Sequence, residues 1–156
     1  MEHLWAPWRM KYINCAKKND EGCIFCNKPK EEDLKKNYIL EKTDLCFVIF
    51  NIYPYNNGHL MVAPLRHLKN LNELTDEETE EIFNLLKKWE KILMEKLNPH
   101  AFNIGANIGR AAGAGFEHLH FHIVPRWNGD SNFMPVISDT KILNMSLDEL
   151  YDLLTN

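Results

Sequence analysis

A single small domain of mixed helix and strand is what the sequence predicts, on three observations. Residues 117–127, EHLHFHIVPRW, alternate His118, His120 and His122 with Leu119, Phe121 and Ile123, the two-residue period of a strand. Apolar residues recur at Ile82, Leu86, Trp89, Leu93 and Leu97, which is one face of a helix. Short β-rich runs separated by turn residues occupy 38–43, 46–51 and 59–64. With 156 residues the chain can bury a real core as one domain.

Composition excludes several classes. Apolar content of 45% and charged content of 26% belong to an ordinary soluble protein. A net charge of −4 argues against a broad nucleic-acid face, which would be basic. No apolar run approaches a membrane span, and no signal-peptide core opens the chain, so a cytoplasmic protein without a membrane partner is expected. In that compartment Cys15, Cys23, Cys26 and Cys46 do not read as a disulfide framework.

The opening segment LWAPWRMKYI crowds Trp5, Trp8, Met10 and Tyr12 around Pro7, and groups this large should dock on the domain or on a second subunit. Cys23-Ile24-Phe25-Cys26 follows. Two thiolates at this spacing can grip one metal ion through a tight turn, but they are half a site, and no second CxxC exists. Two incidental buried cysteines are the alternative. A redox pair is disfavoured, because no helix start follows and Pro29 arrives quickly. Lys28 to Asn37 is charged and reads as an exposed connection.

Tyr38 to Thr43 and Cys46 to Asn51 read as two strands around a turn at Thr43-Asp44. Asn51 to Gly58, NIYPYNNG, is loop chemistry. His59 to Pro64 is a third strand with a histidine at its mouth. Thr75-Asp76-Glu77-Glu78 matches a capping box, and the helix it opens runs about 22 residues to Asn98-Pro99, with a solvated Glu/Lys face. Ala101 to Asn107 reads as a fourth strand. Residues 108–115, IGRAAGAG, are small and lead straight to the histidines; their backbone N–H groups, around Gly113, Ala114 and Gly115, can form an anion-binding nest. They match neither a Walker loop nor a dinucleotide fingerprint. Pro125 and Arg126 should end the histidine strand, because proline cannot donate to a ladder. A loop at 127–132, a short strand at 133–137 and a helix from Leu147 to Leu154, capped by Ser146, complete the chain.

One face of the histidine strand is then a row of imidazoles spaced about 6–7 Å apart, and the other belongs to a core. Such a row has two uses. Neutral imidazoles ligate metals. Alternatively, one imidazole is a nucleophile while its neighbours fix its tautomer and protonate a leaving group. The strand alone does not choose.

HLHFHIV resembles the HxHxHxx signature of the histidine-triad (HIT) superfamily of nucleotide hydrolases and transferases, and NGHLMVAPLRH resembles its Gly-His strand. LWAPWRMKY, NIYPYNNGHLMV and FNIGANIGRAAGAGFEHLHFHIVPRWNGDSNF are similar to the diadenosine tetraphosphate phosphorylase (ATP adenylyltransferase) branch. The resemblance implies an α+β fold. Its antiparallel sheet of about five strands is backed by helices and dimerises into a larger sheet, a homodimer or a tetramer. The single domain, 1–156, then divides into an arm at 1–37 with the CxxC, a core at 38–137 and a C-terminal segment at 138–156.

The same resemblance implies nucleotidyl transfer at an α-phosphate, with diadenosine tetraphosphate and phosphate giving ATP and ADP and no organic cofactor. His120 falls on the nucleophile, His122 on a phosphate contact and His118 on the supporting first triad position. His59 falls on the histidine of the Gly-His strand, Asn51 on a ribose contact, Asn107 near the phosphates and Ile49 in the apolar wall around the base. Some relatives hold a structural Zn²⁺, and the matching positions here are Cys23, Cys26, His67 and His118. Two other readings stand beside this one. They are a hydrolase or phosphoramidase that uses water, and a zinc-stabilised nucleotide-binding protein without significant turnover. A zinc-finger-like nucleic-acid module would need a basic face, and residues 43–156 are net acidic.

Overall fold

The computed structural model of the chain describes residues 22–130 and 143–156. The expected docking of Trp5, Trp8, Met10 and Tyr12, and the short strand at 133–137, lie outside the described residues.

The fold is α+β. One antiparallel sheet holds β1 (Ile39–Lys42), β2 (Cys46–Phe50), β3 (Leu60–Pro64), β4 (Ala101–Ala106) and β5 (Phe121–Arg126) in the spatial order β1-β2-β3-β5-β4. The described helices are α1 (Ile24–Asn27), α2 (Asp76–Leu97) and α3 (Leu147–Thr155). β2 and β3 are apolar on both faces, CFVIF and LMVAP, and every residue in them is buried because both faces of the sheet are covered.

On one face Val48, Phe50, Leu60, Val62 and Ile123 meet Ile82, Leu86, Trp89 and Leu93 of α2 and Leu150 and Leu154 of α3. Each such side chain contributes about 1.5–3 kcal/mol by leaving water. The other face carries Phe47, Ile49, Met61 and Ala63, covered by Phe25 of α1. This second face also carries the histidines.

The capping box at α2 is present: Thr75 Oγ1 accepts from Glu78 N, and Glu78 Oε2 accepts from Thr75 N at 2.9 Å. The helix stops at Asn98, whose left-handed φ of 46° closes it. The solvated Glu/Lys face has one exception. Glu78 is buried and takes a two-pronged ion pair from Arg66 at 2.7 and 3.0 Å. Ser146 caps α3 with the same reciprocal box through Glu149. The Lys28–Asn37 connection is mostly exposed, but it buries Pro29 and Asn37.

Two strand expectations need correction. β5 ends at Arg126, as expected, but Pro125 does not leave the ladder; it lies inside the strand, opposite Phe102 of β4. β3 pairs with β5 only at Phe121–Ile123, so the ring nitrogen of Pro125 lacks a donor where β3 has already turned away. Asn56 Nδ2 donates to the Pro125 carbonyl there instead, at 3.1 Å. Nor do the three histidines share one strand. β5 begins at Phe121, so only His122 is in the sheet, while His118 and His120 belong to the extended approach to it. Leu119 N donates to Leu68 O at 2.7 Å, so this approach runs against the segment after β3 rather than along the β3 edge.

Candidate active site and metal centre

The sheet places His122 between two neighbours: Met61 of β3 lies opposite it on one side and Gly105 of β4 on the other. His59 sits just before β3, at the end of a turn that Gly58 makes possible. Gly58 has φ +73°, and a Cβ there would come 2.5 Å from Leu97 Cδ1. From this position His59 Nε2 reaches His122 Nδ1 at 2.9 Å.

The proton order in this pair follows from one backbone group. Tyr55 N–H donates to His59 Nδ1 at 3.0 Å, which leaves the His59 proton on Nε2. His59 therefore donates to His122 Nδ1, and the proton of His122 sits on Nε2. Asn51 Oδ1 accepts from Tyr53 N at 2.9 Å and so ties the same loop to the end of β2. The Tyr55 ring lies over His59 at 4.6 Å and beside His122 at 5.9 Å.

His120 has the opposite tautomer. Its Nδ1–H donates to the His118 carbonyl at 2.6 Å, which leaves the lone pair on Nε2. Phe25 stacks on its ring at 4.7 Å with planes 21° apart, and His122 stands edge-on at 4.9 Å. Burial favours the neutral form of His59, His118 and His120. It holds His59 well below the usual imidazole value, lowers His120, and pushes His118 down to about 4. A neutral, tautomerically fixed imidazole is a competent nucleophile at pH 7.

The expected metal residues do meet. Ligand atoms of Cys23, Cys26, His67 and His118 all lie within 4.8 Å of one another. Cys23 Sγ is 3.4 Å from His118 Nδ1, and Cys26 Sγ is 3.3 Å from His67 Nδ1. His118 Nε2–H donates to the Pro64 carbonyl at 2.9 Å, so its Nδ1 lone pair faces the thiols. Burial and the adjacent Cys23 raise the Cys26 thiol. Two thiols and two imidazoles converging in this way can hold a metal ion. The expectation that no helix follows Cys23 is wrong: Cys23 caps the single turn of α1, which swings Cys26 round to face His67.

Ile49 is buried among Phe25, Phe47 and Met61, Asn51 is buried beside His59, and Asn107 is half-buried just after β4. The loop before the histidines turns on itself, with Gly113 N donating to Arg110 O and Ala114 N to Gly109 O; Gly115 is half-buried. Three groups escaped the sequence reading: the Tyr55 backbone N–H, the Pro64 carbonyl and the Phe25 ring. Only Phe25 carried a signal, since a large aromatic between two ligand cysteines cannot point into water.

Residues 32–129 match the HIT domain family model. The chain is 36% identical to the AP-4-A phosphorylase of Mycobacterium tuberculosis over 162 aligned residues, covering 99% of this chain and 83% of that protein. It is also 36% identical to the adenosine 5'-monophosphoramidase hnt1 of Schizosaccharomyces pombe, over 69% of this chain and 76% of that one. Among solved structures, a hypothetical histidine triad nucleotide-binding protein from Sulfolobus tokodaii superposes with a TM-score of 0.65 at 28% identity, covering 85% and 87% of the two chains. The sheet order, the cluster of His118, His120 and His122 and these likenesses agree: the chain belongs to the HIT domain family.

Proposed function

We propose that this HIT-family enzyme transfers a nucleotidyl group from a dinucleoside polyphosphate, diadenosine tetraphosphate in the first place, to inorganic phosphate. The observation that carries the reading is the pair of opposed tautomers: His120 presents an Nε2 lone pair while His122, 4.9 Å away, presents an Nε2 proton. In the first step His120 Nε2 bonds to the α-phosphorus, and the bond to the bridging oxygen breaks, releasing ATP. In the second step a phosphate oxygen attacks the adenylyl-histidine, the N–P bond breaks, and ADP leaves. The Nε2 proton of His122 offsets charge on the phosphoryl oxygens, whereas the Gly113 and Ala114 N–H groups, expected to form an anion nest, are taken by Arg110 O and Gly109 O. Asn51 and Asn107 take the ribose and phosphates, and Ile49 backs the base. The 36% identity to a phosphorylase over nearly the whole chain favours phosphate as the acceptor. Water as acceptor is the second reading, favoured by the likeness to a phosphoramidase.

Zinc is the metal we assign to Cys23, Cys26, His67 and His118, because a closed set of two thiolates and two imidazoles suits tetrahedral Zn²⁺. Its contribution is structural: it ties the CxxC turn to the root of the triad. A cytosolic setting, which keeps these thiols reduced, suits the assignment.

The protein is further proposed to be a homodimer through β4. Among the described residues that strand has a neighbour on one side only, and most of its residues are exposed, Ile104 at 46%. Phe83 of α2 is 55% exposed and lies against Phe121, which extends the apolar edge. Light scattering should give the mass of two chains; four would make it a dimer of such dimers.

The activity is tested on diadenosine tetraphosphate with and without inorganic phosphate. ATP plus ADP, formed only with phosphate, supports the proposal. AMP plus ATP without phosphate makes the protein a hydrolase. Binding without cleavage overturns both and leaves a phosphoramidase or a binding protein.

A further inference from the structure

Phe25 lies between the two cysteines, in the single turn of α1, and is 1% exposed. Its ring meets four others. It stacks nearly parallel on His120 at 4.7 Å and tilts against His118 at 5.3 Å. Phe116 meets it edge-on at 5.9 Å, and Phe47 lies at 6.2 Å. The two phenylalanines and the sheet therefore fix Phe25 from behind, and its free face is taken by the His120 imidazole.

Besides Phe25, His120 is held by one hydrogen bond and by the edge-on His122 ring at 4.9 Å, neither of which covers its face. Its Nδ1–H bond to the His118 carbonyl sets the tautomer, but one hydrogen bond leaves the ring able to tilt about that contact. A flat aromatic surface at 4.7 Å removes that tilt, because either edge of the imidazole would collide with it. Phase and tilt of the ring decide where the Nε2 lone pair points.

Both restraints originate in the metal cluster. The His118 carbonyl belongs to a residue whose ring faces the thiols, and Phe25 is flanked in sequence by Cys23 and Cys26. α1 is a single turn, too short to hold its shape by itself. We propose that Phe25 is a positioning residue for His120, and that metal held by Cys23, Cys26, His67 and His118 acts on the nucleophile's orientation through the Phe25 ring. The proposal rests on His120 being the nucleophile only for its kinetic consequence; the orientation itself is observable without turnover.

The test uses the full chain loaded with zinc, in three forms: the unaltered protein, Phe25→Leu, and the unaltered protein after chelation. Leucine keeps apolar bulk in the core but has no flat face. Three quantities are read: bound zinc, the proton shifts of the His120 ring, assigned by its loss in His120→Gln, and kcat and KM on diadenosine tetraphosphate. In the unaltered, loaded protein the His120 ring protons should be shifted upfield by the Phe25 ring current. Phe25→Leu should retain zinc and lose that shift. Its kcat should fall at least about tenfold with KM little changed, since a misaimed nucleophile costs turnover rather than binding. Chelation should abolish the same shift in the unaltered protein while Leu119 and Ile123 keep their folded signals, and this arm stands even where the leucine variant fails to fold. An unshifted His120 ring in the loaded protein, or a shift and kcat unchanged by both perturbations, overturns the proposal. No turnover in any form, with the shift present and metal-dependent, supports the positioning and overturns only the assigned reaction.

Discussion

His59 Nε2 stands 2.9 Å from His122 Nδ1, and the Tyr55 N–H on the far nitrogen of His59 gives that bond a single direction. His59 is wholly buried, with its ordinary basicity suppressed by burial first and by the adjacent His122 second. In the proposed mechanism it acts on substrate through His122. Replacing it should therefore change how His122 presents its proton rather than how substrate docks. His59→Ala should lower kcat about 10- to 100-fold with KM within a fewfold, the size expected when an orienting partner of an active imidazole is lost. Steady-state kinetics check this, and an unchanged kcat contradicts the relay.

Acid should destabilise the fold. His59, His118 and His120 all have folded pKa values below the ordinary 6.5. Below pH 6.5 the unfolded chain binds protons that the folded chain refuses, so stability is complete above 6.5 and declines as pH falls; for His118 the decline continues to about 4. Each group contributes a slope of up to about 1.4 kcal/mol per pH unit inside its window. Proton competition with a metal on His118 adds in the same direction. Urea midpoints should fall between about pH 7.5 and 5.5 at constant m. A flat profile would mean the histidines are not held neutral.

Gly58 is the hinge between the NIYPYNN loop and β3. At φ +73° an alanine is strained, and its Cβ would press on Leu97 Cδ1 at 2.5 Å, Leu93 Cδ2 at 3.2 Å and Pro125 Cγ at 3.3 Å. Gly58→Ala should cost about 1–3 kcal/mol of stability and displace His59. Leu97→Ala in the same chain should recover the steric part only, so a double-mutant cycle by urea unfolding should show positive coupling. An alanine variant as stable as the unaltered protein contradicts the geometry.

Removing metal should lower stability by an amount set by the logarithm of the free ion's excess over its Kd. A ligand present at about a hundredfold over its Kd adds about 3 kcal/mol to the folded state. Chelation, or Cys26→Ser, should lower Tm, and zinc should restore it after chelation alone. Calorimetry with and without chelator decides the matter, and identical scans would remove the metal from the account.

The parts of this molecule legible in its sequence are those set by local physics. The α2 box at Thr75 and Glu78, the α3 box at Ser146 and Glu149, and the short apolar runs of β2 and β3 all rest on residues close together in the chain. The metal quartet was legible only through the family resemblance, since Cys26 and His67 meet across 41 residues. Two local rules failed for one reason, that a tertiary neighbour altered the context. Pro125 stays in β5 because β3 has already left, and His118 leaves the strand period because Pro64 and the thiols hold it. The relay was illegible because its decisive donor is a backbone N–H, at Tyr55, which no side-chain pattern reports.

The most direct test of the account is to look for the covalent intermediate on His120. The unaltered protein is mixed with diadenosine tetraphosphate without phosphate, quenched in alkali, where a phosphoramidate survives, and mapped by peptide mass. The account predicts one adenylyl group on the peptide carrying His120, discharged as ADP when phosphate is added before the quench. In His120→Ala the adduct should vanish and turnover should fall by at least about a thousandfold. An adduct on another residue, or a His120→Ala protein that still turns over, would contradict it.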